Sequence, residues 1–70
     1  MKTMNQDAIA SLLNVLDGLL SEAANLSHAA HDAIEHRDQN LAVGTLVPVE
    51  AKLDNALALL RIVISLHRQP

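Results

Sequence analysis

Apolar and small side chains recur at alternating spacings of four and three residues through both halves of the chain. Such spacing keeps one set of side chains on a single face of an α-helix, because the helix turns once in about 3.6 residues. In the N-terminal half the first stripe contains Ile9, Leu13, Leu16, Leu20, Ala23, Ser27, Ala30 and Ile34, and a neighbouring stripe contains Leu12, Leu19, Leu26 and Ala33. Together the two stripes predict a long helix with a broad apolar face.

The C-terminal half repeats the pattern, and the composition favours the same secondary structure. Its regular positions are Ala42, Leu46, Val49, Leu53, Ala56, Leu60, Val63 and His67. The chain contains no aromatic residue, and Ala and Leu account for most of its apolar residues. Both are strong helix formers, whereas β-sheets are enriched in aromatic and β-branched residues. We therefore predict an all-α fold.

Polar residues between the two patterns predict a short connection. The first helix is expected to span about residues 4–37, because Arg37 suits the negative C-terminal end of a helix. Asp38 suits the N-cap of a second helix over about residues 39–68. Helices joined by so short a segment are usually antiparallel neighbours, so residues 1–70 should form one domain, a long helical hairpin.

Local signals indicate how each helix begins and continues. Thr3 and Gln6 have the spacing of a capping box at the start of the first helix. Pro48 lies inside the second pattern and is expected to press against the carbonyl group of Gly44, which predicts a kinked but continuous helix. The alternative is a separate final helix with Thr45 as its N-cap, which would place Pro48 harmlessly in the first turn.

The apolar face is broader than a two-helix hairpin can bury. Each helix of a hairpin has one neighbour, so the remaining leucines and isoleucines would form a large exposed patch. We therefore expect two hairpins to dimerise into a four-helix bundle and the protein to act as a small interaction or regulatory protein, on its own copies or on a helical partner. The residues expected at this interface and core are Leu13, Leu16, Leu20, Leu53, Leu57, Leu60, Val63 and Ile64.

A group of histidines and acids near the end of the first helix supports a second hypothesis. His28, His31, Asp32 and Glu35 are spaced three or four residues apart, so they share one side of a helix. Imidazole and carboxylate groups are typical ligands of zinc and other divalent metals. The alternative explanation is a solvated helix end, where cationic side chains are favoured by the helix dipole.

Other functions are not expected. The chain lacks cysteine, a glycine-rich phosphate loop and a serine-centred catalytic motif, so we predict neither an enzyme nor a cofactor. Five basic residues against eight acidic ones give a net charge of −3, which disfavours nucleic-acid binding and leaves an RNA-binding bundle as a third alternative. The N-terminal residues include no apolar segment of a signal peptide, and the most apolar stretch, residues 56–66, is shorter than the ~20 residues of a membrane span, so we predict a soluble, cytoplasmic protein.

Overall fold

The computed structural model describes residues 4–69 and contains two α-helices packed as a hairpin. Helix α1 spans Met4–Glu35 and helix α2 spans Gln39–Arg68. The described residues form no strand, which confirms the predicted all-α hairpin. The molecule is 53 Å long and 12 Å across its thinnest dimension. A single layer of helices has this thickness, because an α-helix with its side chains is about 10–12 Å wide.

The helices meet along one seam, which contains every buried or half-buried side chain of residues 5–69. The seam consists of Asn5, Ile9, Leu12, Leu16, Leu19, Ala23, Leu26, Ala30 and Ala33 in α1, and Ala42, Thr45, Val49, Lys52, Ala56, Leu59, Val63 and Leu66 in α2. Its spacing alternates between three and four residues in both helices, as in an antiparallel coiled coil. The fully buried members are all alanines, namely Ala23, Ala30, Ala33, Ala42 and Ala56.

Two polar residues on the seam, Asn5 and Lys52, have partners at its edges. Nδ2 of Asn5 donates a hydrogen bond to the carbonyl oxygen of Leu66 at 3.2 Å, which satisfies a carbonyl group at the end of α2. Nζ of Lys52 donates to the carboxylate of Glu22 on the opposite helix. The aliphatic part of the lysine therefore lies on the seam while its charged end reaches the hairpin surface.

The connection between the helices is a Schellman motif centred on Arg37. This residue has a φ of 62°, in the left-handed region. The amide of Asp38 donates to the carbonyl of Ala33, and the amide of Arg37 donates to that of Ile34, both at 2.9 Å. Arg37 is therefore a residue of the turn rather than of the last helical turn, and α1 ends at Glu35, two residues earlier than the charge pattern predicts.

The start and the continuity of α2 follow the sequence. Oδ1 of Asp38 accepts a hydrogen bond from the amide of Leu41 at 3.0 Å, so the predicted N-cap is confirmed. Helix α2 runs through Pro48 without interruption. The alternative of a separate helix beginning at Thr45 is therefore wrong. The predicted capping-box residue Thr3 lies outside the described residues.

Candidate functional site

Large apolar side chains remain exposed beside the seam. Nine of them form what we call the lateral apolar face: Leu13, Leu20, Ile34, Val43, Leu46, Leu53, Leu57, Leu60 and Ile64. Each exposes between 41% and 56% of its surface. Contiguous apolar surface of this kind on a small protein marks an interaction site.

Both helices contribute to the same side of the hairpin. Near the loop, Ser27 and Ile34 of α1 line one groove together with Val43 and Leu46 of α2. Because the seam repeats every seven residues, positions separated by whole heptads keep the same relation to the neighbouring helix. The remaining members of the lateral apolar face lie one to three heptads from these four residues. The stripe of Leu46, Leu53 and Leu60 is therefore uninterrupted along α2, whereas Glu50 lies within the stripe of Val43, Leu57 and Ile64.

The opposite flank of the seam is less continuous. It exposes Val15, Leu41 and Ile62. Glu22, seven residues after Val15, interrupts this flank and accepts a hydrogen bond from Lys52. An ion pair in the middle of a flank is costly to bury, because both charges would lose water. The lateral apolar face is therefore the better interaction surface.

A groove lies within the lateral apolar face at its loop end. It has a volume of about 310 Å³ and is lined by Ser27, Ala30, His31, Ile34, Ala42, Val43 and Leu46. Three of these residues are small: Ser27 on the face itself, and the buried alanines Ala30 and Ala42 on the seam beneath it. The lining is almost entirely apolar, so an apolar side chain is the ligand that fits it.

The predicted interface residues divide between two places. Leu16 and Val63 lie on the seam and are half-buried. The other predicted residues are all exposed members of the lateral apolar face. The sequence analysis did not place Ile34, Val43 or Leu46 at the interface. Each of them lies one or two heptads from a predicted interface residue, and this spacing could have identified them.

Three of the four predicted metal ligands come together on α1. Ligand atoms of His31, Asp32 and Glu35 lie within 4.8 Å of one another, and we call these three residues the ligand cluster. Nε2 of His31 is 3.4 Å from Oε1 of Glu35, and both side chains are more than 60% exposed. His28 is not part of this group. Structural zinc sites use four ligands, and their imidazoles are oriented by further hydrogen bonds, so three exposed groups on one helix form at most a weak site.

The described basic residues do not form one patch. Lys52 is paired with Glu22 on the seam. Arg37 lies in the loop, whereas Arg68 ends α2 at the other end of a molecule that is 53 Å long. These three residues therefore lie at separate places along the hairpin.

Comparisons with known proteins add no family to this description. No family model matches the chain, and neither the curated proteins nor the solved structures gave a match. Within residues 4–69, neither helix contains a stretch apolar and long enough to cross a membrane.

Proposed function

We propose that the protein is a small interaction protein that works as a homodimer, in which two hairpins pack through their lateral apolar faces into a four-helix bundle. The supporting observation is that large apolar side chains of both helices continue along one side of the hairpin. Each helix of a four-helix bundle has two neighbours, so a third apolar position in every heptad becomes buried. A second copy of the chain has the same face, so it can cover this surface without any other protein.

The hairpin exposes more surface than a compact monomer of its mass, as expected if a partner covers part of that surface. A compact monomer of 7.5 kDa is expected to expose about 4,250 Å², whereas the hairpin exposes 5479 Å². If two copies became as compact as one protein of twice the mass, they would bury about 3,900 Å² in total. Obligate homodimers typically bury roughly 2,000–5,000 Å², so this surface is sufficient for a stable dimer.

The hairpin alone also has a small apolar interior. The fully buried residues are alanines, and no large side chain of the described residues is fully buried. Alanine contributes less hydrophobic free energy than leucine, because that free energy increases with the apolar area removed from water. In the proposed dimer the lateral apolar face supplies the larger buried side chains that a chain of this size needs.

The proposed role is regulatory and operates through protein contacts in the cytoplasm. It requires no catalytic step, cofactor or nucleic acid. A helix of another protein with a complementary apolar face would compete for the same surface. The dimer and such a complex are distinguished by the mass of the isolated chain.

Metal binding is the alternative function. The observation in its favour is the close approach of the three groups of the ligand cluster. Their high exposure weakens the case, because water competes with exposed ligands. A zinc titration, described in the Discussion, tests this alternative.

The homodimer is tested by a matched pair of substitutions in α2. Leu60 lies on the lateral apolar face and is 43% exposed, whereas Ile62 lies on the opposite flank and is 47% exposed. In an isolated hairpin, Leu60→Asp and Ile62→Asp should have similar effects. In the dimer only Leu60→Asp places an unpaired charge in the interface, which costs several kcal/mol.

Sedimentation equilibrium at micromolar concentration and far-ultraviolet circular dichroism measure the outcome. We expect about twice the 7.5 kDa chain mass for the wild type and for Ile62→Asp, and a loss of both dimer and helicity for Leu60→Asp. Leu60→Ala provides a milder variant that should raise the dimer dissociation constant while the chain still folds. A folded wild-type monomer, or identical behaviour of the two Asp variants, would contradict the proposal.

A further inference from the structure

We infer that the two hairpins of the proposed dimer pack with their loops at opposite ends, so that the groove of each subunit receives leucine side chains from the open end of its partner. The open end is the end of the hairpin farthest from the loop. This inference rests on the homodimer proposed above and specifies its geometry. It assigns the groove an occupant of defined chemistry, namely Leu13 and Leu60 of the partner subunit.

The starting observation is that the lateral apolar face is uneven along its length. At the loop end, the small side chains of Ser27, Ala30 and Ala42 leave the groove of about 310 Å³. Toward the open end, the face carries Leu13 and Leu60, which are 46% and 43% exposed. The groove is also lined by Ile34, Val43 and Leu46, so what distinguishes the loop end is the small side chain of Ser27 at the heptad position that Leu13 occupies toward the open end.

Two symmetric arrangements can bring two such faces together. A two-fold axis along the hairpin places the loops at the same end, so that groove meets groove and leucine meets leucine. A two-fold axis across the hairpin places the loops at opposite ends, so that each groove meets the leucines. Even filling along the bundle favours the second arrangement, because each layer then contains one Ser27 and three leucines, whereas the first arrangement places both copies of Ser27 in one layer.

With loops at opposite ends, the positions of the leucines along the helices bring Leu13 and Leu60 opposite the groove of the partner subunit. Leu20 and Leu53 lie near the midpoints of α1 and α2. A two-fold axis through this central layer lets each of the two leucines face its own copy. One heptad on either side of the axis, Leu13 then faces Ser27 of the partner subunit, and Leu60 faces Leu46 of the partner subunit. The arrangement therefore overlaps the face from Leu13 to Ser27 in α1 and from Leu46 to Leu60 in α2.

Distances between spin labels test the orientation. Asn40 and Asp54 are exposed and lie two heptads apart on the outer side of α2, and the chain has no native cysteine. The variants Asn40→Cys and Asp54→Cys can therefore each carry one label per subunit. At about 1.5 Å per residue, Asn40 lies roughly 20 Å along the axis from the midpoint of α2. With loops at opposite ends, the distance between labels at Asn40 should exceed that at Asp54 by at least about 20 Å.

The outcomes separate this inference from the proposed function. A much longer distance at Asn40 than at Asp54 supports loops at opposite ends. Similar distances at the two sites place the loops at the same end and overturn the inference, while the dimer itself stands. A monomeric mass with no measurable distance at either site overturns both the dimer and its orientation.

An exchange of side chains tests the groove directly. Ser27→Leu fills the groove, and Leu13→Ser removes the side chain that we place in it. Each single variant should weaken the dimer by about tenfold or more, because overpacked or empty contacts occur twice per dimer. The double variant restores one small and one large residue in each pair, so its dissociation constant should return to within about threefold of the wild-type value.

Neither substitution introduces a charge, so each variant should keep the helicity of the wild type at concentrations where it dimerises. Circular dichroism of each variant checks this point. If the double variant dimerises more weakly than either single variant, the two residues do not face each other. That result would overturn the assignment of Leu13 to the groove.

Discussion

Replacing Arg37 by glycine tests the turn that reverses the chain. Arg37 occupies the left-handed region with a φ of 62°, and the amides of Arg37 and Asp38 both bond to carbonyl groups of α1. A residue with a Cβ atom is strained in this conformation, whereas glycine adopts it readily. We therefore expect Arg37→Gly to raise the free energy of unfolding.

The magnitude follows from two opposing terms. The left-handed conformation costs a residue with a Cβ atom about 1–2 kcal/mol. Glycine loses more backbone entropy on folding, which reduces the stabilisation from relieved strain by about 0.5–1 kcal/mol. The midpoints of the two ranges leave a net stabilisation of about 0.75 kcal/mol per chain, within limits of about 0 and 1.5 kcal/mol. For a chain of this size it corresponds to a rise of roughly 2–8 °C in the melting temperature.

Arg37→Ala is the matched control for this measurement. Both variants lack the guanidinium group, so the difference between them isolates the strain of the backbone. Urea unfolding followed by circular dichroism at one fixed protein concentration gives both free energies, because the stability of a dimer depends on concentration. If Arg37→Gly is no more stable than Arg37→Ala, the residue does not hold the left-handed conformation and the Schellman turn is wrong.

Three further predictions follow from other contacts. Asp38→Ala should lower the free energy of unfolding by about 1 kcal/mol, while Asp38→Asn should retain the N-cap bond to the amide of Leu41; thermal denaturation of both variants compares them. Pro48→Ala should raise the free energy of unfolding in urea by about 1–3 kcal/mol, since it restores a helix hydrogen bond; a lower free energy of unfolding would contradict this expectation. A few equivalents of Zn²⁺ above about pH 7 should leave the melting temperature nearly unchanged, and His31→Ala should remove any small shift. A saturable stabilisation approaching about 2.7 kcal/mol at 100 times Kd would instead establish the ligand cluster as a binding site.

Local signals in the sequence were sufficient for the secondary structure and for one cap. The spacing of apolar residues predicted both helices, and Asp38 was identified as an N-cap from its side-chain chemistry. The continuous apolar pattern across Pro48 also correctly favoured one helix over two. These features depend on interactions within a few residues, so the sequence contains the information that decides them.

The position of Arg37 required the structure. A cation near a helix end is favourable both in the last turn and just beyond it, so charge alone does not distinguish the two. The hydrogen bonds from Arg37 and Asp38 back to α1 place the arginine in the turn. A glycine at this position would have been a clear signal, because glycine commonly ends helices in the left-handed conformation.

What the sequence by itself determined was that three positions in each heptad are apolar; which two of them face the neighbouring helix was decided only by tertiary packing. Apolar residues recur every seven residues both at the positions of Leu13 and Leu20 and at those of Leu12 and Leu19. In the folded hairpin Leu12 and Leu19 lie on the seam, where buried alanines let the helices approach closely, whereas Leu13 and Leu20 remain exposed. The physical reason is that a helix with one neighbour can bury only one narrow stripe, and the choice depends on how side chains from the opposite helix fit.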